Sequence, residues 1–157
     1  MTQNFLYSVE RDYPVSIDRL WKAWTDPIEL EAWYFPTDLS STKGATVSEL
    51  KVDGLWACGV EVPTHGFTAY FFGRYTKIVN HQLLEHTLHY TTSAQEFAKK
   101  DFSTESHLIR VEFENRGSSS WSKFSQFGEL PEGQAEMAQA GMNSYLESLA
   151  QHLAKQI

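Results

Sequence analysis

The sequence predicts an α+β fold in which an antiparallel sheet curves around one long C-terminal helix. Three observations carry this expectation. In Pro131–Ile157, Ala138, Met142, Tyr145, Leu146, Leu149 and Leu153 recur at spacings of three and four, a single apolar stripe on a helix. Most of the patterned segments upstream alternate with the two-residue period of a strand. Two short helical patterns after the first strand hold Trp21, Trp24 and Trp33, rings too large to leave in water. At about 1.5 Å per residue the last helix spans roughly 35–40 Å, the width of a small domain. One apolar stripe needs one partner surface, and the strands are the surface on offer.

The elements follow in order. Asn4–Arg11 alternates Phe5, Tyr7 and Val9 against Leu6, Ser8 and Glu10, a half-buried strand that Tyr13-Pro14 ends. Ser16 is an N-cap for a helix carrying Ile17, Leu20, Trp21 and Trp24 on one side. Asp26-Pro27-Ile28-Glu29 starts a second: Asp26 caps, Pro27 takes the first position and Glu29 reaches back as in a capping box. Both helices plug one end of the sheet. Thr46–Val52 is a weak strand, and Trp56–Val62 a strong one with Trp56, Cys58, Val60 and Val62 on one face. Pro63–Gly66 is a turn. Phe67–Val79 is a long strand with aromatics on both sides, so periodicity does not assign its inner face. Leu84, His86, Leu88 and Tyr90 share a side of the next strand. Residues 93–104 read as a polar connection holding Phe97 and Phe102, and His107, Ile109, Val111 and Phe113 then alternate cleanly. After the Asn115-Arg116-Gly117 turn, Trp121–Phe127 returns to the last helix. Mid-helix, Gly141 costs about 1 kcal/mol relative to alanine. Close packing of the helix backbone on an aromatic ring is the plain reason to keep it; a hinge for ligand entry is the other.

At 157 residues and 41% hydrophobic content, the chain is expected to be a single domain, residues 1–157, with a sizeable core. No apolar run approaches the ~18 residues of a membrane span. Met1-Thr-Gln-Asn lacks the basic and apolar regions of a signal peptide, and Cys58 is the single cysteine, so a reducing cytoplasm is the expected compartment. A formal charge of −7 argues against nonspecific nucleic-acid binding, which needs phosphate-neutralising lysines and arginines. Aromatic residues make up 14% of the chain, enough for a thick core or a cavity with aromatic walls.

The run Leu20-Trp-Lys-Ala-Trp-Thr-Asp-Pro27, followed by Leu30, Trp33, Phe35 and Pro36, resembles the signature of the SRPBCC (START-like) superfamily. Within it the likeness is to the heat-shock-protein-90 ATPase activator homologue-like branch, which typically reads VW.A.TDP..L..WF.P. Later landmarks agree: Gly54-Leu55-Trp56, Gly73 in the long strand and Gly141 in the final helix. Two positions depart from that pattern. Asp53 stands where the family usually has the first of two glycines, and Met142 where it usually has tryptophan. The resemblance spans essentially the whole chain and implies a helix-grip fold, with a pocket between sheet and helix.

On that implication, alternation nominates Tyr7, Trp56, Tyr90, His107 and Trp121 as pocket lining, with Met142 as part of the roof. The competing reading is that these rings simply fill the core. Metal chemistry finds no HExxH, CxxC or carboxylate-rich loop, and no motif asks for a cofactor. A symmetric hairpin would set His107 opposite Tyr90 and about 13 Å along the strand from His86, too far to share an ion or a proton. Cys58 between Ala57 and Gly59 reads as a small buried hydrophobe. Three functions follow. The first is a cytoplasmic module binding a hydrophobic or aromatic small molecule. The second is a chaperone-activator homologue, although the activator naming that family carries an additional N-terminal domain for which this chain leaves no room. The third is a cyclase- or hydrolase-type enzyme on a bulky hydrophobic substrate, for which no acid–base pair stands out. A homodimer through an exposed strand edge is compatible with all three.

Overall fold

The computed structural model describes residues 4–155; the first three residues, and Gln156 and Ile157 of the expected helix, lie outside the described residues. The chain runs β1 (Phe5–Tyr13), α1 (Ile17–Thr25), α2 (Pro27–Trp33), β2 (Ser40–Ser41), β3 (Val47–Ser48), β4 (Leu55–Val62), β5 (Phe67–Val79), β6 (Leu83–Thr91), α3 (Ala94–Lys99), β7 (His107–Asn115), β8 (Ser120–Phe127) and α4 (Gln134–Ala154). The strands form one antiparallel sheet in the order β1-β8-β7-β6-β5-β4-β2, with β3 also on β4. The sheet curls around α4, the helix-grip arrangement. No described helix is long and apolar enough to cross a membrane.

Local chemistry sets the boundaries. Ser16 Oγ accepts from Arg19 N at 3.2 Å and Asp26 Oδ1 from Ile28 N at 2.8 Å, so both expected caps form. Glu29 does not reach back to a cap. It meets His152 Nε2 at 2.6 Å and Arg19 at 3.1 Å, tying α1 and α2 to the end of α4. Helix α4 starts later than expected: Gly133 takes a left-handed conformation ahead of Gln134, and Pro131 only closes the preceding turn. Between Thr46 and Val52 only Val47–Ser48 is strand.

The core lies between the inner sheet face and the helices. Leu146, Leu149 and Leu153 of α4 are buried there with Val9, Ile109, Val111 and Phe124. Trp21, Trp24 and Trp33 are buried too; Trp24 packs edge-on to Trp33 at 4.8 Å, and Trp33 Nε1 donates to the Ala23 carbonyl at 2.7 Å. These helices close one end of the sheet. Along β1, the outermost strand, Gln139 of α4 donates to the Ser8 carbonyl at 3.1 Å and Glu147 pairs with Arg11 at 2.9 Å. The chain's own helix therefore occupies part of an edge that could otherwise pair with a second copy.

The outer face is covered in one place, and this corrects the reading of residues 93–104. They contain α3, whose Phe97 stacks on Tyr70 at 4.5 Å, while Phe102 meets Phe72 and His89. Strand β5 is thus packed on both sides: Phe71 and Tyr75 face α4, and Phe72 faces α3. An alternating pattern requires one wet face, and this strand has none over that stretch.

Candidate functional site

Between the inner sheet face and α4 lies a cavity of about 250 Å³. Its floor is Tyr7 of β1, Phe71 of β5, Leu88 of β6 and Phe124 with Gln126 of β8. Ala138, Gly141, Met142 and Tyr145 of α4 roof it, and Tyr34, the residue ending α2, closes the inner end. Phe71, Leu88, Gln126 and Ala138 also border a second space of about 470 Å³, so the two are chambers of one cleft. The outer chamber adds Tyr90, Glu105, His107, Glu129 and Leu130.

Gly141 belongs to this cavity. A Cβ built on it meets no atom within 4 Å, which corrects the expected close packing on a ring. The missing side chain leaves room in the roof. Tyr34 and Tyr145 sit edge to face at 5.0 Å. Burial raises both phenols' pKa, so each hydroxyl keeps its proton, and among the described residues neither has a hydrogen-bond partner. The inner chamber therefore offers two hydrogen-bond donors against apolar and aromatic walls.

A polar chain joins the chambers. Tyr7 Oη donates to Gln126 Oε1 at 2.6 Å, Gln126 Nε2 donates to His107 Nδ1 at 2.7 Å, and His107 Nε2 donates to the Glu129 carbonyl at 3.1 Å. Gly128 makes the last step possible: a Cβ there would fall 2.4 Å from the His107 ring. Burial raises the Tyr7 pKa as well, keeping this hydroxyl a donor.

Of the nominated residues, the structure sets Tyr7 and Met142 in the wall of the inner chamber and Tyr90 and His107 in the outer one. Trp56 and Trp121 line neither. Trp56 is buried against His86, the rings stacked at 4.1 Å, and packs edge-on to Tyr34. Trp121 points from the outer face, with Nε1 donating to Glu10 at 3.2 Å and Arg116 over its ring. The inward positions of β8 are Ser120, Ser122 and Phe124, and Trp24 of α1 stacks on Phe124 at 6.3 Å. Alternation nominates Trp121 as inward, and the register, with Asp12 and Glu114 as its strand partners, sets it on the outer face.

Register corrects the histidine geometry too. His107 pairs with Leu88 rather than Tyr90, and His86 with Ile109, so two residues separate the histidines, roughly 7 Å along the strand. They still work apart: His86 Nδ1 donates to the Thr87 carbonyl at 2.8 Å, while His107 serves the cleft. Burial lowers the His86 pKa to about 4 and pushes the Cys58 thiol up. Among the described residues, no group of three His, Cys, Asp or Glu side chains could hold a metal ion.

Sequence reasoning did not nominate Tyr34, Phe71, Leu88, Phe124, Gln126 or Tyr145. Leu88 and Tyr145 had visible signals, the apolar side of a strand and the stripe of the helix; Phe71 had none, because its strand is covered on both faces.

Similarity to known proteins agrees with this architecture. The chain resembles the AHSA1 protein of Silicibacter pomeroyi, whose crystal structure superposes with a TM-score of 0.78 at 17% identity over 96% of this chain and 99% of that one. A solution structure from Staphylococcus epidermidis gives 0.77 at 20% identity, covering 100% and 93%. A crystal structure from Chromobacterium violaceum gives 0.75 at 17% identity, covering 92% and 94%. At these identities the likeness speaks for the fold. Comparison with curated proteins finds no match. The family model for activator of Hsp90 ATPase homolog 1-like proteins matches residues 14–154, and the chain belongs to that family.

Proposed function

We propose that the protein binds a small, largely apolar ring-bearing molecule in the inner chamber, with Tyr34 and Tyr145 donating to an acceptor atom on the ligand. The observation that carries this reading is the pair of unpartnered phenol hydroxyls of Tyr34 and Tyr145 on a cavity walled by Tyr7, Phe71, Leu88, Phe124 and Met142. Apolar walls supply affinity through buried area, and a few placed polar groups fix orientation. The inner chamber suits one substituted ring; the outer one leaves space for a tail. The buried, unpaired Cys58 supports a reducing compartment such as the cytoplasm. Chaperone activation, the role in the family's name, does not transfer with a shared fold.

Native mass spectrometry of freshly purified protein tests this reading, together with a thermal-shift screen of small aromatic ethers and ketones. Bound mass or stabilisation is expected, and Met142→Trp, which fills the roof, should abolish it while keeping or raising stability of the free protein. If Met142→Trp destabilises the free protein by more than about 1–3 kcal/mol, the cost of overpacking, the space was already full and the binding reading fails.

A further inference from the structure

We propose that the outer chamber selects a positive charge, so that the ligand is an elongated amine with its ring in the inner chamber and its protonated nitrogen beside Glu105, Glu129 and Tyr90. This rests on the ring-binding reading above and adds the ligand's charge and shape. Among the described residues no lysine or arginine lines either chamber, whereas two carboxylates border the outer one. A ligand carboxylate would enter without a counter-charge and face both glutamates; an ammonium would find them ready. Glu129 Oε1 accepts from Asn4 Nδ2 at 2.8 Å, which steadies that side chain at the rim. Both ring nitrogens of His107 are engaged within the protein, Nδ1 by Gln126 and Nε2 by the Glu129 carbonyl.

Tyr90 supplies a third element. It is 57% exposed and its ring leans on Phe71 at 5.3 Å, leaving an aromatic surface at the mouth on which a cation can rest. The inner end is set independently: Tyr34, only 6% exposed, holds its unpartnered hydroxyl in the inner chamber. Gln126 borders both chambers, and Glu129, three residues on past the bend at Gly128, borders only the outer one, at most roughly 10 Å away. A ring with a spacer of about four carbons and a terminal ammonium covers that path. The formal charge of −7 favours the approach of such a cation from solution.

Calorimetric titration with three matched probes decides it: para-methoxyphenylbutylamine, para-methoxyphenylbutanol and para-methoxyphenylpentanoate. The ether oxygen can accept from Tyr34 or Tyr145, and only the far end differs. The amine should bind at least about tenfold tighter than the alcohol, a difference of about 1.4 kcal/mol, with the carboxylate weakest. That preference should shrink as salt rises, since both carboxylates lie near solvent. A Glu105→Gln/Glu129→Gln variant, which keeps the acceptor for Asn4, should bind amine and alcohol alike with an unchanged melting temperature. Equal binding of amine and alcohol to the natural chain overturns charge selection and leaves the ring site standing. Binding of none of the three overturns both readings. A preference that survives in the double variant overturns the assignment to these carboxylates.

Discussion

Replacing Gly141 by alanine probes the cavity from the helix side, and the two explanations of this glycine give opposite signs. The residue lies within the 21 residues of α4, and a Cβ added there meets nothing within 4 Å. A glycine inside a helix costs about 1 kcal/mol relative to alanine. The new methyl would enter the inner chamber, adding between nothing and the ~0.8 kcal/mol of a fully buried CH₂. Gly141→Ala should therefore stabilise the free protein by about 1–2 kcal/mol. With about 2–4 °C per kcal/mol for a chain of this size, its melting temperature should rise by about 2–8 °C. Urea titration measures the change, with an unchanged slope showing that the unfolded state is the same. Affinity for a ring ligand should fall, since the methyl takes space the ring would use. If the variant instead loses about 1 kcal/mol or more, an atom stands where the Cβ goes. The helix backbone then packs closely on its neighbour, and the inner chamber is not there in solution.

Two further outcomes follow from the core. Leu149 is fully buried in α4, so Leu149→Ala should cost about 2–5 kcal/mol, and an unmoved melting transition would show that the helix stripe is not the core. His86 ties stability to pH. Buried against Trp56, it stays neutral in the folded chain down to about pH 4, whereas in the unfolded chain it takes its proton near pH 6.5. Between those values the unfolded state holds more protons. This contribution is therefore full above about pH 6.5 and is lost as pH falls, on the order of 3 kcal/mol by pH 4. Denaturation measured from pH 7 to pH 4 should show a shallower fall in His86→Phe than in the natural chain, and parallel curves would refute the assignment.

The fold was readable because its main signals are local and mutually consistent. The stripe of α4, the Ser16 and Asp26 caps and the clean alternation of β7 each rest on a single face or a single hydrogen bond. The site was less readable because a cavity depends on what several elements leave empty. Nothing in the pattern of β8 says that Ser120 and Ser122 would be buried and Trp121 turned outward to Glu10. Nor does the polarity of residues 93–104 reveal a helix whose one aromatic, Phe97, docks on the outer sheet face. Gly141 shows the limit best. Its presence mid-helix was conspicuous, yet a glycine kept for contact and one kept for space look alike in sequence.

The same cavity separates stability from binding at Tyr34. Its ring is fixed by the core, edge-on to Trp24, Trp56 and Tyr145, so Tyr34→Phe keeps the packing and removes only the hydroxyl. That hydroxyl is protonated, opens onto the inner chamber and has no partner among the described residues. A hydroxyl that opens onto a chamber carries no penalty of a buried, unpaired group, so its removal should leave the stability of the free protein within about 1 kcal/mol. The bound state does respond. A hydrogen bond to a ligand acceptor is worth about 0.5–1.5 kcal/mol, and losing it should weaken binding by roughly three- to tenfold. Stability that holds while affinity falls is the mark of a group held for a ligand rather than for the fold. Paired urea denaturation and ligand titration on Tyr34→Phe measure both arms. A variant that loses about 1 kcal/mol or more in the free state would mean that the hydroxyl already has a partner in the folded protein. Tyr34 would then belong to the core alone, and the inner chamber would have lost one of its two donors.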